Sequence, residues 1–332
     1  MSYWDGKRVI VTGGAGLIGA PLVENLVKEG SKVVVIDNFF RSEPENIAHL
    51  RMEIECLDVD LRDSLKTRAV ISDADIVIHL ASKVGGIGVY TAAPYSIMSD
   101  NVLIDTNVLQ AAMANGVNTF FYASSAHVYP HELQNKLDSP VINEDDAIPA
   151  SPLLSYGWAK LQTEMQIRCA VYENPNFKAA IARYIGIYGS NQDYNLETGS
   201  VIPVFSHRAV RYPEIDFTIW GDGEETRSYC YIDDAIECTK LMIEKLEDIR
   251  FVGPFNVGSS EQIKIKDIAR KIVDISGKDI PIKCDMRKKA SILAQNCSCE
   301  KVYKSLGWRA TTSIDEGLER VYKDVERRIG EQ

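Results

Sequence analysis

The stretch that most limits what this chain can become is Arg8-Val9-Ile10-Val11-Thr12, followed at once by Gly13-Gly14-Ala15-Gly16-Leu17-Ile18-Gly19. The first five residues form a β-branched run, and beyond the glycines Leu22, Val23, Leu26 and Val27 recur at helical spacing, so the segment reads as strand, tight turn and helix. Gly13, Gly16 and Gly19 fit the dinucleotide fingerprint: the first permits the turn, the second lets backbone approach a pyrophosphate, and the third lets helix pack on strand. The helix N-terminus then faces the phosphates. The next apolar run, Lys32-Val33-Val34-Val35-Ile36, ends at Asp37, where an acid accepts hydrogen bonds from the adenosine ribose and repels a 2′-phosphate. NAD rather than NADP is the expected cofactor.

Strand and helix signals keep alternating. Ile54 to Leu57 leads into Asp58, Ile97 to Ala114 has a helical pattern, and Asp75 to Leu80, Thr119 to Ala123 and Lys178 to Arg183 read as further strands. Such alternation predicts an α/β fold, a Rossmann-type doubly wound parallel sheet with its ligand across the carboxyl ends of the strands. Asp58 and Val59 are placed to meet the adenine, and Ala81 and Ser82 the cofactor phosphates or ribose. Lys83-Val84-Gly85-Gly86-Ile87-Gly88 is glycine-rich directly after a strand, as backbone approaching a ligand requires. From Ser190 to Arg227 the regularity loosens around an amphipathic piece, Val204 to Val210, while Ile232 opens a helix and Phe255 to Val257 reads as a last strand. We expect residues 1–188 with 229–258 to form the NAD-binding domain, and 189–228 with 259–332 to form a smaller C-terminal substrate-binding lobe. The tail beyond Glu261 reads as mostly helical, with charged, solvated faces rather than a binding tract.

The chemistry-bearing pair is Tyr156 and Lys160, one turn apart on a stretch that reads as helix, so both side chains share a face. A phenol is a poor base at neutral pH, but a nearby ammonium stabilises the phenolate, which then takes a proton from an alcohol whose carbon gives hydride to an oxidised nicotinamide. The net charge of −10 argues against nucleic acid as a partner. Seven scattered cysteines suit reduced thiols, and Cys297-x-Cys299 with Cys284 lacks the second pair or the His that would complete a zinc set, so no metal is expected. No run is apolar enough to span a bilayer and the N-terminus has no signal-peptide profile, which points to the cytoplasm.

Together, Thr12 to Gly19, Asp37, His79-Leu80-Ala81, Asn101-Val102, Ser124-Ser125, Tyr156-x-x-x-Lys160, Arg183-Tyr184, Trp220-Gly221-Asp222-Gly223 with Thr226-Arg227-Ser228, and Leu306-Gly307-Trp308 resemble the extended short-chain dehydrogenase/reductases that act on nucleotide sugars. Lys83 to Ile87, Ser124-Ser125-Ala126-x-Val128-Tyr129-Pro130 and the Trp220 to Ser228 segment look most like the GDP-mannose 3,5-epimerases and GDP-fucose synthases of that family. The resemblance implies a catalytic set of Ser125, Tyr156 and Lys160. It adds Leu17, Ile18, Leu80, Asn101, Tyr156, Lys160 and Tyr184 to the cofactor residues, Lys160 at the nicotinamide ribose, and Lys83, Gly85, Gly86, Ser125, His127, Val201, Arg227 and Arg287 to the substrate residues, Arg227 at the diphosphate. It also implies a homodimer, paired through the helices that hold Asn101 and Tyr156, and an NAD-dependent epimerase that works through a transient 4-keto sugar on a GDP-linked substrate.

Three departures bear on that reading. His127 stands where these relatives have a catalytic cysteine, and an imidazole can serve there as acid or base, or only hydrogen-bond substrate. The relatives' opposing Lys or His is lost from Gly199-Ser200-Val201-Ile202-Pro203, leaving Lys83 or Glu197 as candidate substitutes. Gly186 stands where the family has an Asn that touches substrate. A nucleotide-sugar 4-epimerase, a C4 dehydrogenase or reductase, and a non-catalytic dinucleotide sensor are the alternatives. Retention of Ser125, Tyr156 and Lys160 together speaks against the last.

Overall fold

A computed structural model describes residues 2–288 and 292–331. The glycine turn folds as its spacing requires: β1 (Arg8–Thr12) enters it and α1 (Gly19–Lys28) leaves it. There follow β2 (Lys32–Asp37), β3 (Ile54–Asp58), α2 (Ser64–Val70), β4 (Ile76–His79), α3 (Ile87–Ala92), α4 (Pro94–Ala114), β5 (Thr119–Ser125), α5 (Ser155–Glu173) and β6 (Lys178–Tyr184). Next come the short β7 (Ile187–Tyr188), α6 (Val201–Val210), β8 (Thr218–Trp220), β9 (Thr226–Ser228) and β10 (Cys230–Tyr231), then α7 (Ile232–Glu244) and β11 (Phe251–Val257). The remainder is β12 (Gln262–Lys264), α8 (Ile265–Ser276), β13 (Lys283–Asp285), β14 (Ala294–Gln295), α9 (Glu300–Leu306) and α10 (Ile314–Gly330).

Seven strands form one sheet in the order β11-β6-β5-β4-β1-β2-β3, and every neighbouring pair is parallel. The order reverses between β1 and β4, which opens a crevice at the carboxyl edge where ligands of doubly wound sheets bind. Strands buried on both sides explain the unbroken β-branched runs. Val9, Val11, Val33 and Val35 join the core on the α1 and α7 face, while Ile10, Val34, Ile36 and Val77 join the core on the α2, α4 and α5 face.

The tail differs from its reading as helical, solvated surface. It contributes three short strands besides its helices: β12 and β14 flank β9, and β13 pairs with β8. Helices α8 and α10 bury Ile265, Ile268, Ile272, Leu318, Val321 and Val325, and both pack with α6. Their charged residues cover only the outer faces, so the segment holds a core that a charge count does not reveal. Helix α10 also crosses β7 closely: a Cβ added at Gly317 would lie 1.9 Å from the Tyr188 hydroxyl.

Candidate active site

A cavity of about 480 Å³ runs along the carboxyl edge of the sheet, from Gly13, Gly16 and Asp37 to Ser125, His127 and Tyr156. Its first end is built by the glycine turn. Gly13 has a φ of +68°, and a Cβ there would stand 2.8 Å from the Ala81 nitrogen. A Cβ at Gly19 would stand 2.2 Å from the Gly13 carbonyl, so the helix can rise from the turn only on a glycine. Gly16 meets nothing but the Gly13 carbonyl, at 3.3 Å, and its open side lines the cavity. One Asp37 oxygen accepts the Ala15 N–H (3.0 Å), and the other accepts the Phe39 N–H (3.0 Å) and the Ser42 hydroxyl (2.9 Å). The carboxylate is thereby fixed at the β2 tip, braced against the turn, and Leu17, Ile18, Val59, Leu80, Ala81 and Ser82 complete this end. Narrow turn, helix N-terminus and fixed acid fit NAD. Asp58 closes β3 but lies outside the lining.

Asn101 also lies outside the lining and shapes it indirectly. Its carbonyl accepts the Ser82 hydroxyl (2.7 Å) and the Lys83 N–H (2.8 Å), and its amide donates to the carbonyls of Lys83 (3.0 Å) and Ile97 (2.8 Å). The loop after β4 is thus tied to α4. Gly85 and Gly86 line the cavity, and the Gly86 N–H reaches the Thr198 carbonyl (3.3 Å). Lys83 lines it too, but its ammonium is committed to Ser96 (2.7 Å) and Asp100 (2.6 Å).

At the far end β5 delivers Ser125, the turn after it delivers His127, and the first turn of α5 delivers Tyr156. The Ser125 Oγ lies 3.0 Å from His127 Nδ1 and accepts the His127 N–H at 3.2 Å. The hydroxyls of Ser82 and Ser125 face the Tyr156 phenol closely enough to act on its ionisation. Its ring stacks on Tyr90 with centroids 5.1 Å apart and meets the His127 ring edge-on at 5.7 Å. Burial pushes the Tyr156 phenol above its ordinary pKa. The Ser82 and Ser125 hydroxyls pull it back in part, and the Asp105 charge pushes it further up.

One turn along α5 from Tyr156, Lys160 is held by a buried carboxylate. Its Nζ is buried, 5.8 Å from the Tyr156 ring centre, and pairs with Asp105 at 3.6 Å. Burial pushes its pKa down and Asp105 pushes it back up. Burial likewise drives the His127 imidazole down to about 4, helped by the Arg227 charge, so this side chain is neutral at pH 7.

Other sequence-predicted residues lie beside the cavity or away from it. The Tyr184 hydroxyl bonds Thr239 (2.6 Å) while its side lines the cavity. Arg227 is behind the wall, donating to the carbonyls of Thr226 and Ile292 at 2.8 Å each. Val201 opens α6 just beyond Ser200, which does line the wall. Arg287 is not at the cavity: its side chain is 90 % exposed, and charge attraction folds its guanidinium onto Asp285 (2.9 Å). Glu197 is exposed and outside the lining. At Gly186 the φ of +55° and a Ser228 carbonyl 2.1 Å from any Cβ exclude a side chain, which accounts for the departure there.

Sequence reasoning missed Tyr90, Gln295 and the Arg41–Asp193 ion pair (2.9 Å), all in the wall. Gln295 sits on β14, too short a strand for its sequence to mark. Tyr90 falls on a short helix after the glycine loop, and no period marks it.

Among the described residues no group of three or more His, Cys, Asp or Glu is arranged to hold a metal, and no helix is long and apolar enough to cross a membrane.

Residues 9–258 match the model of the NAD dependent epimerase/dehydratase family. The chain is 30 % identical over 333 residues to GDP-mannose 3,5-epimerase 1 of Oryza sativa subsp. indica, covering 98 % of this chain and 84 % of that protein. It is 30 % identical over 269 residues to the UDP-N-acetyl-alpha-D-glucosaminuronate decarboxylase of Bacillus cytotoxicus, covering 80 % of this chain and 79 % of the relative. Among solved structures, a UDP-galactose 4-epimerase superposes with a TM-score of 0.80 at 28 % identity, over 97 % of this chain and 99 % of the other. A fingerprint turn that fits NAD, a Ser-Tyr-Lys set at the crevice and a family match across the whole sheet lead to one assignment: the chain belongs to the NAD dependent epimerase/dehydratase family, within the extended short-chain dehydrogenase/reductases, and its cofactor is NAD.

Proposed function

We propose that the protein is a nucleotide-sugar epimerase acting on a GDP-linked sugar through a transient 4-keto intermediate. The observation that carries this reading is the convergence of Tyr156, Ser125 and His127 at one end of the cavity, with hydroxyl, phenol and imidazole in mutual contact. The name of the rice relative, a GDP-mannose 3,5-epimerase, supports the GDP-linked hexose.

Gly13, Gly16, Leu17, Ile18, Gly19 and Asp37 would hold the adenosine diphosphate part of NAD, and Lys160 and Tyr184 flank the nicotinamide end. When bound, NAD supplies an acceptor for the C4 hydride, gives the hydride back, and places a positive charge near the phenol. Tyr156 takes the C4 hydroxyl proton, and the Ser125 hydroxyl donates to the oxygen as it becomes a carbonyl. That carbonyl acidifies the hydrogens on C3 and C5, and neutral His127 is in the protonation state needed to remove one. The substrate is held by the wall of Gly85, Gly86 and Ser200 and by the segments 189–228 and 259–332. Arg227 supplies positive potential from behind that wall.

One observation favours a second reading, a 4-epimerase. Lys83 is tied to Asp100, Asp193 is tied to Arg41, and Glu197 is outside the cavity, so neither candidate substitute is free to act as the acid or base opposite His127. Epimerisation at C4 needs no carbon acid chemistry, only rotation of the keto sugar before hydride returns. Incubation with GDP-mannose and with UDP-glucose in deuterated water separates the two. Deuterium at C3 or C5 is expected from our first reading; an inverted C4 without label establishes the second, and a net change in NADH absorbance would overturn both.

We further propose a cytoplasmic homodimer formed across α4 and α5. Their exposed faces carry Met98, Leu103, Trp158 and Met165.

A further inference from the structure

Under Tyr156, between α4, α5 and the sheet, lies a cluster of polar groups shut off from water. Its centre is Asp105 on α4, with no exposed surface. One carboxylate oxygen faces His79 Nε2 on β4 at 3.0 Å. The other accepts the Tyr122 hydroxyl from β5 (2.5 Å) and the Thr163 hydroxyl from α5 (3.1 Å), and lies 3.6 Å from Lys160 Nζ. His79 Nδ1 continues to the Thr12 hydroxyl at 2.7 Å, which also accepts the Ala81 N–H at 3.3 Å. The chain of contacts therefore runs from Lys160 to the residue just before the glycine turn.

Four features make Asp105 more than packing. Lys160 is 1 % exposed, and an ammonium buried so deeply needs an anion beside it or it sheds its proton. The nearest alternative is Glu164, one turn further along α5, but both its oxygens are engaged by Arg183 (2.9 and 2.6 Å) and one also accepts the Ser124 hydroxyl. His79 cannot be the cation of the cluster, because burial drives its imidazole below its ordinary pKa. Asp105 is raised by burial, but Lys160 and His79 more than reverse this and leave it ionised. The pair Asp105–Lys160 thus balances charge within a shell whose other members, His79, Tyr122, Thr163 and Tyr156, are neutral.

We propose that Asp105 is a positioning residue: its buried carboxylate keeps Lys160 an ammonium and fixes Nζ beside the Tyr156 ring, where the phenolate needs a cation. This rests on the role proposed above for Tyr156 and Lys160, but the charge of Lys160 can be read without it.

The test is an NMR titration of the full-length protein labelled with 15N at lysine Nζ, the Lys160 resonance being assigned by its absence in Lys160→Arg. In the wild type Lys160 is expected to stay an ammonium through pH 8, and a neutral amine at that pH overturns the proposal. In Asp105→Asn the Lys160 ionisation constant is expected to rise at least tenfold, moving the midpoint down by one pH unit or more. An unmoved midpoint also overturns it. Once a turned-over sugar is known, the alkaline limb of the kcat profile is expected to move down by the same amount in Asp105→Asn, with KM changed less than about twofold. A uniformly lower kcat with the limb in place would mean a merely structural carboxylate and overturn the proposal. Turnover surviving in Tyr156→Phe would sink the reading of the base, and leave the NMR result to judge Asp105 alone. The wild-type titration decides even if Asp105→Asn does not fold.

Discussion

At Tyr156 opposing influences meet on one oxygen. Burial and the Asp105 charge keep the phenol protonated, while the Ser82 and Ser125 hydroxyls favour the phenolate. Removing only that oxygen, in Tyr156→Phe, is expected to lower kcat about 10²- to 10⁴-fold, the usual worth of a general base, while leaving the ring stack on Tyr90 and the binding of NAD unchanged. Turnover by NMR and cofactor content by absorbance check the two halves separately. His127 makes a different prediction, about stability. Its imidazole titrates near 6.5 when unfolded and near 4 when folded, so between these values the unfolded chain binds a proton that the folded chain refuses. Stability from this group is therefore intact above about pH 6.5 and lost as the pH falls towards 4, by up to about 3 kcal/mol. Thermal unfolding of wild type and His127→Gln from pH 7 to 4.5 should show the smaller decline in the variant. His79 contributes in the same direction to both and drops out of the comparison.

At the scale of elements, α5 is the piece whose placement decides the site. Its third residue, Gly157, presses on the turn after β5: a Cβ there would lie 2.0 Å from the His127 carbonyl. Gly157→Ala is expected to destabilise the fold by about 1–3 kcal/mol, as overpacking does, and to cost activity by shifting Tyr156 from Ser125. A denaturation midpoint and kcat equal to wild type would show that the contact yields freely. This constraint was not legible in the sequence, where Gly157 reads as an ordinary helical residue between Tyr156 and Trp158. The sheet was legible, because strands buried on both faces are written as continuous runs such as Val33 to Ile36, and β1 to β5 end at the ligand edge in the polar residues Thr12, Asp37, Asp58, His79 and Ser125. The short strands β8, β9, β13 and β14 are too brief to show a period. Asp105 was invisible for another reason: its partners, residues 79, 122, 160 and 163, come together only through the crossovers.

At the scale of the molecule, α4 and α5 bury polar residues beside their apolar core face and expose large apolar ones. Asn101, Asp105, Lys160, Thr163 and Glu164 are buried, whereas Trp158 is 43 %, Met165 50 % and Tyr172 88 % exposed. Several polar residues point at the site, and several large apolar ones at water. A second copy of the chain covering that face resolves the mismatch. Light scattering is expected to give twice the 37.0 kDa of the chain, and Met165→Glu to shift the mass towards the single-chain value. A wild type that stays at 37.0 kDa at micromolar concentration rules the dimer out.

The sheet itself is not finished when its first six strands are. After β6 the chain departs to lay down α6, β8 and β9, then comes back with α7 and β11 to close the edge beside β6, and departs once more to end on α10, jammed against Tyr188. Modularity is therefore denied to it. Neither half can be transplanted as a cassette, because any single cut strips an edge strand from one part or the last helix from the other, and a new sugar specificity has to be written into the wall piecemeal.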